Sequence, residues 1–581
     1  MLPKKMSNRE VADVFQLVAD LLQIKGEIIY KVLAYRKASD SILDLGRDIN
    51  VVWREGKLTD VPGIGKAISE KIDELLSTGE LQFLEKIKKE VPVSLAEVLE
   101  VPDLGPKKVA LFWKEAGISD LAGLEAATRA GELRSLSGMG PKSEAKILAG
   151  IESLSRRTGR TPLGLAWPVA QEMLVLLRDV KGVKAAEMAG SLRRMRETIG
   201  DIDLLVGAKD SAAVTEAFVG QPNVARVLGK GDIKSSIELT NGYRAQLWVL
   251  PPERFGTALQ YATGSKDHNV RLRELALKQG LSLSDQAITR EDGTEILCAT
   301  EAEVYEYFGL AWMPSELRED RGEIQAAQNG DLPVLIEQGQ LRSDLHTHST
   351  WSDGKGTIEE MARAAKKAGL KLIAITDHSH SIGVIGGMDV KAVRKRRKEI
   401  EAVQEKMGKS IRILQGVEVE IKADGQLDYP DEVLAELDIV IASLHVSLRQ
   451  PRKKVTQRML NAIQNPNVDI IGHPTGRLVA EREPADLDMD VVFAAAAESG
   501  VALEINANFK RLDLNDVYSR RAIDLGIPLS INTDAHNTDM LGKTEYGVAT
   551  ARRGWAEQEH VINSWQPRRL LSWLRKRDDR K

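Results

Sequence analysis

The chain has 581 residues, a formal net charge of −4 and 43% hydrophobic residues, which is enough length for several domains. The near-neutral charge excludes a uniformly basic nucleic-acid coat but leaves room for local basic surfaces. A single cysteine, Cys298, excludes a disulfide within the chain and any cysteine-based zinc site. The sequence has neither a signal-peptide-like apolar run nor a stretch of about 20 apolar residues, so we expect a cytoplasmic protein that does not enter a membrane.

Residues 1–160 carry apolar residues at helical spacing and are predicted to form all-α domains over 1–90 and 91–160. Three segments share an apolar-x-x-Gly turn followed by a helix: VPGIGKAISEKI, VPDLGPKKVALF and LSGMGPKSEAKI. This repeat is typical of helix-hairpin-helix turns, in which backbone N–H groups at a helix start hold a DNA phosphate without reading sequence. The glycines that we expect at these DNA contacts are Gly63, Gly65, Gly105 and Gly140.

Residues 161–250 mix helices with strands, and an Asp-x-Asp motif precedes one of the strands. Asp201 and Asp203 are two positions apart, so an extended backbone points both carboxylates to one face. Two converging carboxylates favour a divalent cation with nucleotide phosphates, in the arrangement of two-metal phosphoryl transfer. The alternative, that the two aspartates cap a solvated turn, is weakened by the preceding Gly190-Ser191 and the following apolar strand.

Residues 251–320 are again mixed, 321–340 is the expected linker, and 341–581 alternates short apolar strands with helices. Such alternation predicts α/β packing with parallel strands, and a closed barrel is one form of it. Several strands end on a residue type that binds metals, and these ends converge at one mouth of such a barrel. The expected metal ligands are His346, His348, Asp353, His378, Glu418, His445, His473, Asp534 and His536.

Nine ligands exceed the shell of one ion and predict a cluster of two or three metals that activates water to attack phosphorus. Imidazole and carboxylate ligands without thiolate suit Mn²⁺, Zn²⁺ or Fe²⁺. Asp377 and His380 are expected to lie outside the cluster or to face solvent. Lys355 and Arg477 could contact a substrate phosphate, although a surface role is the simpler interpretation. The alternative, histidines of a purely structural core, does not explain so many of them at strand ends.

The segments YKVLAYRKA, GSLRRMRETIGDIDLLV and YATGSKDHNVRLR resemble, in order and spacing, the family X DNA polymerases typified by DNA polymerase beta and its bacterial relatives. The resemblance implies a lyase-like domain over 1–90, helix-hairpin-helix fingers over 91–160, a nucleotidyltransferase palm over 161–250 and a thumb over 251–320. It implies Mg²⁺ or Mn²⁺ at the palm aspartates. The residues that it places at the incoming nucleotide are Gly190, Ser191, Arg194, Tyr261, Gly264 and Asn269.

The same resemblance makes Lys71 a candidate Schiff-base lysine of a deoxyribose-phosphate lyase. Lys31, Tyr35 and Lys66 are its candidate neighbours for the DNA 5′-phosphate. Ala67 stands where the family often has a phosphate-contacting lysine, and a solvated helix lysine is an equal alternative for Lys71.

One departure affects the palm directly. The family supplies a third metal-binding carboxylate from a neighbouring strand, and that position here is Gln246, while Glu238 and Glu253 are out of register. An amide carbonyl can bind a metal but carries no charge and cannot act as a base. We therefore expect weak metal binding at the primer end and weakened polymerisation, by a factor on the order of 10²–10³.

Residues 341–575 resemble the PHP domain, named for polymerase and histidinol phosphatase, with a distorted seven-stranded barrel and a Mn²⁺ or Zn²⁺ cluster. The combined resemblance implies template-directed gap filling and 3′–5′ exonuclease activity in DNA repair, by an expected monomer acting on gapped or nicked DNA, recessed 3′ ends and deoxynucleoside triphosphates. An alternative is a polymerase-impaired protein acting as a DNA-bound exonuclease or 3′-phosphatase. A small-molecule phosphatase is a third hypothesis, but it would not need the helix-hairpin-helix repeats.

Overall fold

The computed structural model describes residues 6–43, 45, 47–99, 101, 104–156, 160–381 and 386–575. The chain divides into two units, Met1–Gly159 and Arg160–Lys581. Within the described ranges, no helix is both long enough and apolar enough to cross a membrane.

The described part of the first unit is helical. Its helices are α1 (Asn8–Lys25), α2 (Ile29–Leu43), α3 (Ile49–Arg54), α4 (Lys66–Thr78), α5 (Gln82–Glu90), α6 (Leu95–Leu99), α7 (Pro106–Ala116), α8 (Leu121–Ala130) and α9 (Pro141–Arg156). Helix α1 begins with a capping box, in which Ser7 accepts a hydrogen bond from the backbone of Glu10 while the Glu10 carboxylate accepts one from Ser7 N. One apolar stripe of each helix faces a shared core that contains Phe15, Ile72 and Phe112.

The second unit begins with the region expected to be the palm, called the palm below, which contains a five-stranded mixed sheet in the order β2-β4-β7-β6-β5. Its elements are β1 (Thr161–Pro162), α10 (Leu163–Arg178), β2 (Val183–Met188), α11 (Gly190–Arg193), β3 (Thr198–Ile199), β4 (Ile202–Ala208), α12 (Ser211–Val219), β5 (Val224–Gly229), β6 (Lys234–Leu239) and β7 (Arg244–Leu250). Strands β4 and β7 are parallel, which places residues of the two strands side by side. Helices α10 and α12 cover one face of the sheet through residues such as Met173 and Phe218.

The thumb follows, with a three-stranded antiparallel sheet and four helices among its described residues. They are α13 (Phe255–Thr263), α14 (Lys266–Lys278), β8 (Leu281–Leu283), β9 (Ile288–Arg290), β10 (Glu295–Ile296), α15 (Glu301–Tyr307) and α16 (Glu323–Asn329). Helix α16 lies inside the stretch 321–340 that was expected to be a linker, and its Ala327 is buried in the thumb core. The segment that follows the thumb therefore packs against it, because its apolar side chains are buried in the thumb core. Cys298 is buried in the same core.

The C-terminal part is the predicted seven-stranded parallel barrel, with strands in sequential order from β11 to β17. Its elements are β11 (Ser343–Thr347), α17 (Ile358–Lys367), β12 (Leu372–Ile375), α18 (Val390–Met407), β13 (Arg412–Glu420), α19 (Asp431–Leu434), β14 (Ile439–Ser443), α20 (Arg452–Ile463), β15 (Ile470–Ile471), α21 (Met489–Ser499), β16 (Ala502–Asn506), α22 (Asp516–Asp524), β17 (Leu529–Asn532), α23 (Glu545–Arg553) and α24 (Pro567–Arg575). The barrel nearly closes, since the end of β11 is joined to the segment after β17 by His348 N donating to Ala535 O at 2.8 Å.

Buried ion pairs join the palm and thumb to the barrel within the second unit. Glu319 of the thumb accepts from Arg194 of the palm at 3.0 Å and from Arg553 of α23 at 2.9 Å. Arg553 also donates to Asp516 at the start of α22, at 2.7 Å. Such a network needs all its members in place, because a buried charge that loses its partner is strongly destabilising. Palm, thumb and barrel are thus fastened as one unit.

Candidate active sites

The barrel mouth collects all nine predicted metal ligands. In three groups, the ligand atoms all lie within 4.8 Å of one another. The groups share members and consist of His348, Asp353, His378 and His536; His346, His348, Glu418 and Asp534; and His378, Glu418 and His445. The ninth residue, His473, joins them with its Nε2 at 2.9 Å from Glu418 Oε1.

Glu418 occupies the centre of this cluster. One carboxylate oxygen, Oε2, lies 3.2 Å from His346 Nε2 and 2.9 Å from His378 Nδ1. The other, Oε1, lies 3.2 Å from His445 Nε2. Because Glu418 belongs to two of the three groups, its carboxylate is placed to bridge ions, and the shared residues fit a cluster of several cations.

Two further glutamates orient the histidines from behind, and the sequence interpretation did not include them. Glu504 Oε1 lies 2.8 Å from His346 Nδ1, and Glu420 Oε2 lies 2.7 Å from His445 Nδ1. A carboxylate on one ring nitrogen directs the other nitrogen at the metal and raises its basicity. Their sequence signal was weak: Glu420 is two residues beyond Glu418, and Glu504 is one acid within the apolar strand VALEINA.

The electrostatics of the cluster favour cation binding. Burial would raise the pKa of Glu418, but His346, His445 and His378 hold that pKa well below its ordinary value. Burial would likewise raise the pKa of Asp353, yet its histidine neighbours, with a hydrogen bond from His536 first among them, lower the pKa to about 2. The carboxylates are therefore ionised at neutral pH, as metal ligands must be.

The donor set also fits divalent cations on geometric grounds. Both Glu418 carboxylate oxygens, His346 Nε2 and both ring nitrogens of His473 are buried without a hydrogen bond of good geometry among the described residues. Buried polar atoms are normally satisfied, so a cluster of unsatisfied ligand atoms around one point indicates a missing partner. Imidazole and carboxylate donors suit Mn²⁺, Zn²⁺ or Fe²⁺.

The four further candidates of this half, Asp377, His380, Lys355 and Arg477, fall outside the cluster. Asp377 accepts hydrogen bonds from Ser349 and from the buried Arg396, at 2.6 Å in each case, so it braces the loop after β11. His380 and Lys355 are exposed. Arg477 donates to Glu197 of the palm at 2.6 Å and therefore helps to join palm and barrel.

In the palm, Gln246 lies where the sequence placed it. It is the β7 partner of Asp203 in the parallel pair of β4 and β7. Its side-chain Nε2 donates to Asp201 Oδ2 at 2.8 Å. Glu238 is turned away and accepts from Arg226 at 3.0 Å. Two carboxylates and one amide thus form this edge of the palm.

The pKa of Asp203 is raised to about 7 by burial and by the nearby charge of Asp201. Gly190 faces the same carboxylate: it has a φ of +59°, and a Cβ there would lie 2.2 Å from Asp203 Oδ2. Glycine is required at this position on both counts. Gly190 of the Gly-Ser turn and Asp203 therefore lie side by side.

The residues expected at the incoming nucleotide are close together, but several are occupied by protein contacts. Arg194 donates to Thr263 O at 2.6 Å as well as to Glu319, and it lies 3.1 Å from the position of a Cβ on Gly264. Asn269 donates to Tyr261 O at 2.7 Å, while the Tyr261 side chain is 41% exposed. Ser191 is half-buried in α11. Arg194 would have to exchange Glu319 for a triphosphate, so its role stays a prediction.

Three of the four lyase candidates of the first unit lie around a residue that was not predicted, Phe83. The Nζ atoms of Lys31 and Lys71 each lie 5.4 Å from the Phe83 ring centroid. Tyr35 stacks on the same ring at 5.6 Å between centroids and is buried, which raises its pKa to about 12. Tyr35 thus packs against the same ring that the two lysines approach. Lys66 is exposed in the first turn of α4.

Three of the four predicted DNA-contacting glycines stand at helix starts. Gly65 and Gly105 are the N-cap residues of α4 and α7, and Gly140 precedes α9. A Cβ on any of the three would meet no described atom within 4 Å, so their helix starts are open to a phosphate. Gly63 has a φ of +86°, a left-handed backbone conformation that explains why glycine occupies this position. Pro102 and Asp103 of the second repeat lie outside the described residues.

Family models match four parts of the chain. They are described as a helix-hairpin-helix domain (residues 6–81), a SAM-like helix-hairpin-helix tandem (95–153), a DNA polymerase beta thumb (258–319) and a PHP domain (344–508).

Similar curated proteins fall into two kinds. Over 576 residues, 99% of this chain and 100% of the relative, the chain is 38% identical to "DNA polymerase/3'-5' exonuclease PolX" of Bacillus subtilis (strain 168). It is also 34% identical over 238 residues to a "Probable phosphatase" of Thermoanaerobacter sp. (strain X514), a match that covers 39% of this chain and 91% of that protein. A "Probable phosphatase" of Shewanella sediminis is 35% identical over 246 residues, or 40% of this chain and 94% of that protein. The end-to-end match carries the assignment: the chain belongs to the family X DNA polymerases of the PolX type, with helix-hairpin-helix domains, a polymerase beta thumb and a C-terminal PHP domain.

Proposed function

We propose that the chain is a DNA polymerase and 3′–5′ exonuclease that fills short gaps and trims 3′ ends during DNA repair. The observation that carries the proposal is the nine-residue ligand cluster in the barrel mouth, in one unit with a palm that retains Asp201 and Asp203. The name of the Bacillus subtilis relative supports both activities. The helix-hairpin-helix turns supply the grip on gapped or nicked DNA, and such a substrate would place the protein in the cytoplasm.

In the barrel, His346, Glu418 and Asp534 would hold one cation, and the two other groups would hold its neighbours. Divalent cations bound there supply Lewis acidity to a phosphate and acidify the attacking water. The protein's own contribution is orientation: Glu504 and Glu420 fix the rings of His346 and His445, so the ligand atoms are already in place. Mn²⁺ or Zn²⁺ is the proposed metal.

In the palm, Asp201 and Asp203 would hold Mg²⁺ or Mn²⁺ with the triphosphate of a deoxynucleotide. Gln246 beside them adds a neutral amide that already donates to Asp201. The amide N–H repels a cation and holds one oxygen of Asp201, so binding of the primer-end metal is weakened. Polymerisation would therefore be slow relative to 3′ trimming.

A second candidate is a protein whose palm and thumb hold DNA while only the barrel performs chemistry, either as an exonuclease or as a 3′-phosphatase. The contact between Gln246 and Asp201 is the specific observation that favours it. The phosphatase version gains support from the names of the relatives that match the barrel alone.

One gel separates these candidates. The full chain would be incubated with Mn²⁺ and a 5′-labelled primer on a gapped duplex, with and without nucleotides, and in parallel with a primer that ends in a 3′-phosphate. Extension with nucleotides and shortening without them support the proposal. Shortening alone supports the second candidate, and release of the 3′-phosphate without shortening supports its phosphatase version. Cleavage that persists unchanged in a chelator would overturn the metal-dependent mechanism.

A further inference from the structure

Three arginines lie on neighbouring loops at the barrel mouth, beside the metal-ligand cluster but outside it. Arg449 follows β14, Arg482 follows β15 and Arg511 follows β16. These three strands are adjacent in the sheet, so their loops stand side by side along one stretch of the rim. The order along the rim is therefore Arg449, Arg482, Arg511.

Arg511 reaches the cluster itself. Its Nε lies 3.6 Å from Oδ2 of the ligand Asp534, and its side chain is 18% exposed. Its Nη1 is buried without a hydrogen-bond partner among the described residues. A buried guanidinium N–H normally has an acceptor, so this one has a free donor beside the metal ligands. A phosphate oxygen is the acceptor that the planar fork of an arginine fits best.

The second and third arginines continue outward from Arg511. Arg482 donates through Nε to Gly476 O at 2.9 Å, which leaves its terminal nitrogens for other partners. Arg449 is exposed. Burial, and then the positive charges of Arg511 and Arg449, lower the pKa of Arg482. The positive charges of Arg511 and Arg449 thus act on Arg482. The acids that face Arg482 are Asp513 and Glu481.

The loops that carry the arginines are held to each other. Val479 N donates to Lys510 O at 2.6 Å, which joins the loops after β15 and β16. Gly476 approaches Leu448, since a Cβ on the glycine would lie 3.1 Å from Leu448 Cδ2, and this joins the loops after β14 and β15. Because the three loops are joined by these contacts, the mutually repelling arginines are held in a row. Such a row is a preformed site for several anions rather than one.

We propose that Arg511, Arg482 and Arg449 form a phosphate track that holds three successive phosphates of one DNA strand, with the scissile phosphate at Arg511. The inference rests on the proposed exonuclease and narrows its substrate. A single phosphate monoester would use only the first position, whereas a strand end uses all three. The barrel is thus built for a polynucleotide 3′ end.

The test measures how hydrolysis depends on the number of phosphates. Full-length protein with Mn²⁺ is given oligonucleotides of two, three and four nucleotides, which contain one, two and three phosphodiesters. In wild type, kcat/KM rises about tenfold with the second phosphate and less with the third, because the outer contact is more exposed. In R482Q the rise at the second phosphate disappears, and in R449Q the rise at the third disappears. R511Q loses about 100-fold on every length.

Two controls make the result specific. K367Q removes an exposed cation at the end of α17 and is expected to keep the wild-type dependence on length. Replacing the second phosphate by an uncharged methylphosphonate should slow wild type about tenfold and add nothing to the defect of R482Q. Metal content of R511Q is measured in parallel and should equal that of wild type.

An unchanged length dependence in R482Q and R449Q would overturn the track, and so would a loss of metal in R511Q, which would make Arg511 a positioning residue for Asp534. These failures differ from failure of the proposed function. If wild type cleaves no oligonucleotide of any length but releases phosphate from a 3′-phosphate end, both the exonuclease and the track are wrong.

Discussion

The palm and the barrel mouth both gather carboxylates for phosphoryl chemistry, yet they differ in how those carboxylates are supported. In the barrel, histidines surround Glu418 and hold its pKa well below the ordinary value, and outer glutamates hold the histidines. In the palm, burial and the neighbouring charge of Asp201 raise the pKa of Asp203 to about 7, and the charges of Lys234 and Arg194 do not offset them. The Glu418 carboxylate is ionised and its histidine neighbours are held in place, whereas the Asp203 carboxyl has a pKa close to neutral pH.

Two or three carboxylates alone do not make a strong cation site. A buried acid keeps its charge only where positive or polar groups outweigh the cost of desolvation. The barrel supplies those groups in two layers. The palm has the neutral Gln246 where the family resemblance implies a third carboxylate, so we expect it to bind a second cation weakly.

The largest effect is expected from E418Q, which removes the charge of the carboxylate at the centre of the barrel cluster. Because this carboxylate contacts several imidazoles, we expect exonuclease activity to fall by a factor on the order of 10³. Activity is measured with a 5′-labelled strand, and bound metal by elemental analysis. E405Q, the same substitution at an exposed residue of α18, serves as the control. If E418Q kept its exonuclease activity and its bound metal, Glu418 would have no essential role in the metal site.

The next effect tests the palm by restoring the missing charge. Q246D should raise primer extension by a factor on the order of 10²–10³, because a third carboxylate strengthens the primer-end cation site. Exonuclease activity of the same variant should not change, since the substitution lies in the palm. Robust synthesis by the native chain that Q246D leaves unchanged would defeat the idea that Gln246 limits the palm.

A smaller effect is expected in the outer layer of the barrel. E504Q keeps the shape of the side chain but weakens the hydrogen bond from His346 Nδ1, so affinity for the metal should fall about 10–100-fold. The measurement is a competition titration with a metal-binding dye, with E405Q again as the matched control. An unaltered affinity would mean that His346 is oriented by its packing alone.

The smallest expected effect is a pH dependence of the palm. Asp203, with a pKa of about 7, is mostly protonated at pH 6 and mostly ionised at pH 8. Protons compete with the cation below that pKa, so the Mg²⁺ concentration for half-maximal extension should be about tenfold higher at pH 6 than at pH 8. The same titration on Q246D should again show a higher Mg²⁺ requirement at pH 6 than at pH 8. A flat dependence on pH would show that Asp203 is ionised throughout.

Much of this architecture was predictable from local patterns. The alternation of apolar strands and helices predicted the parallel barrel, and the residues at strand ends predicted the nine ligands, all of which meet at the mouth. Gln246 was placed correctly beside Asp203 because strand register follows from the family's motif order. The exit from the thumb was not predicted, since the helix Glu323–Asn329 packs where a linker was expected.

By itself, the sequence determined which chemical groups are present and at which strand ends, because a strand presents its residues with a fixed period and parallel strands end together. Only the tertiary structure decided the partners of those groups. Glu504 lies 158 positions from His346, and Arg553 lies 234 positions from Glu319. Arg511, after β16, faces Asp534, after the adjacent strand β17. No local pattern encodes such pairs, since they arise from the closure of the barrel and from its packing against the palm.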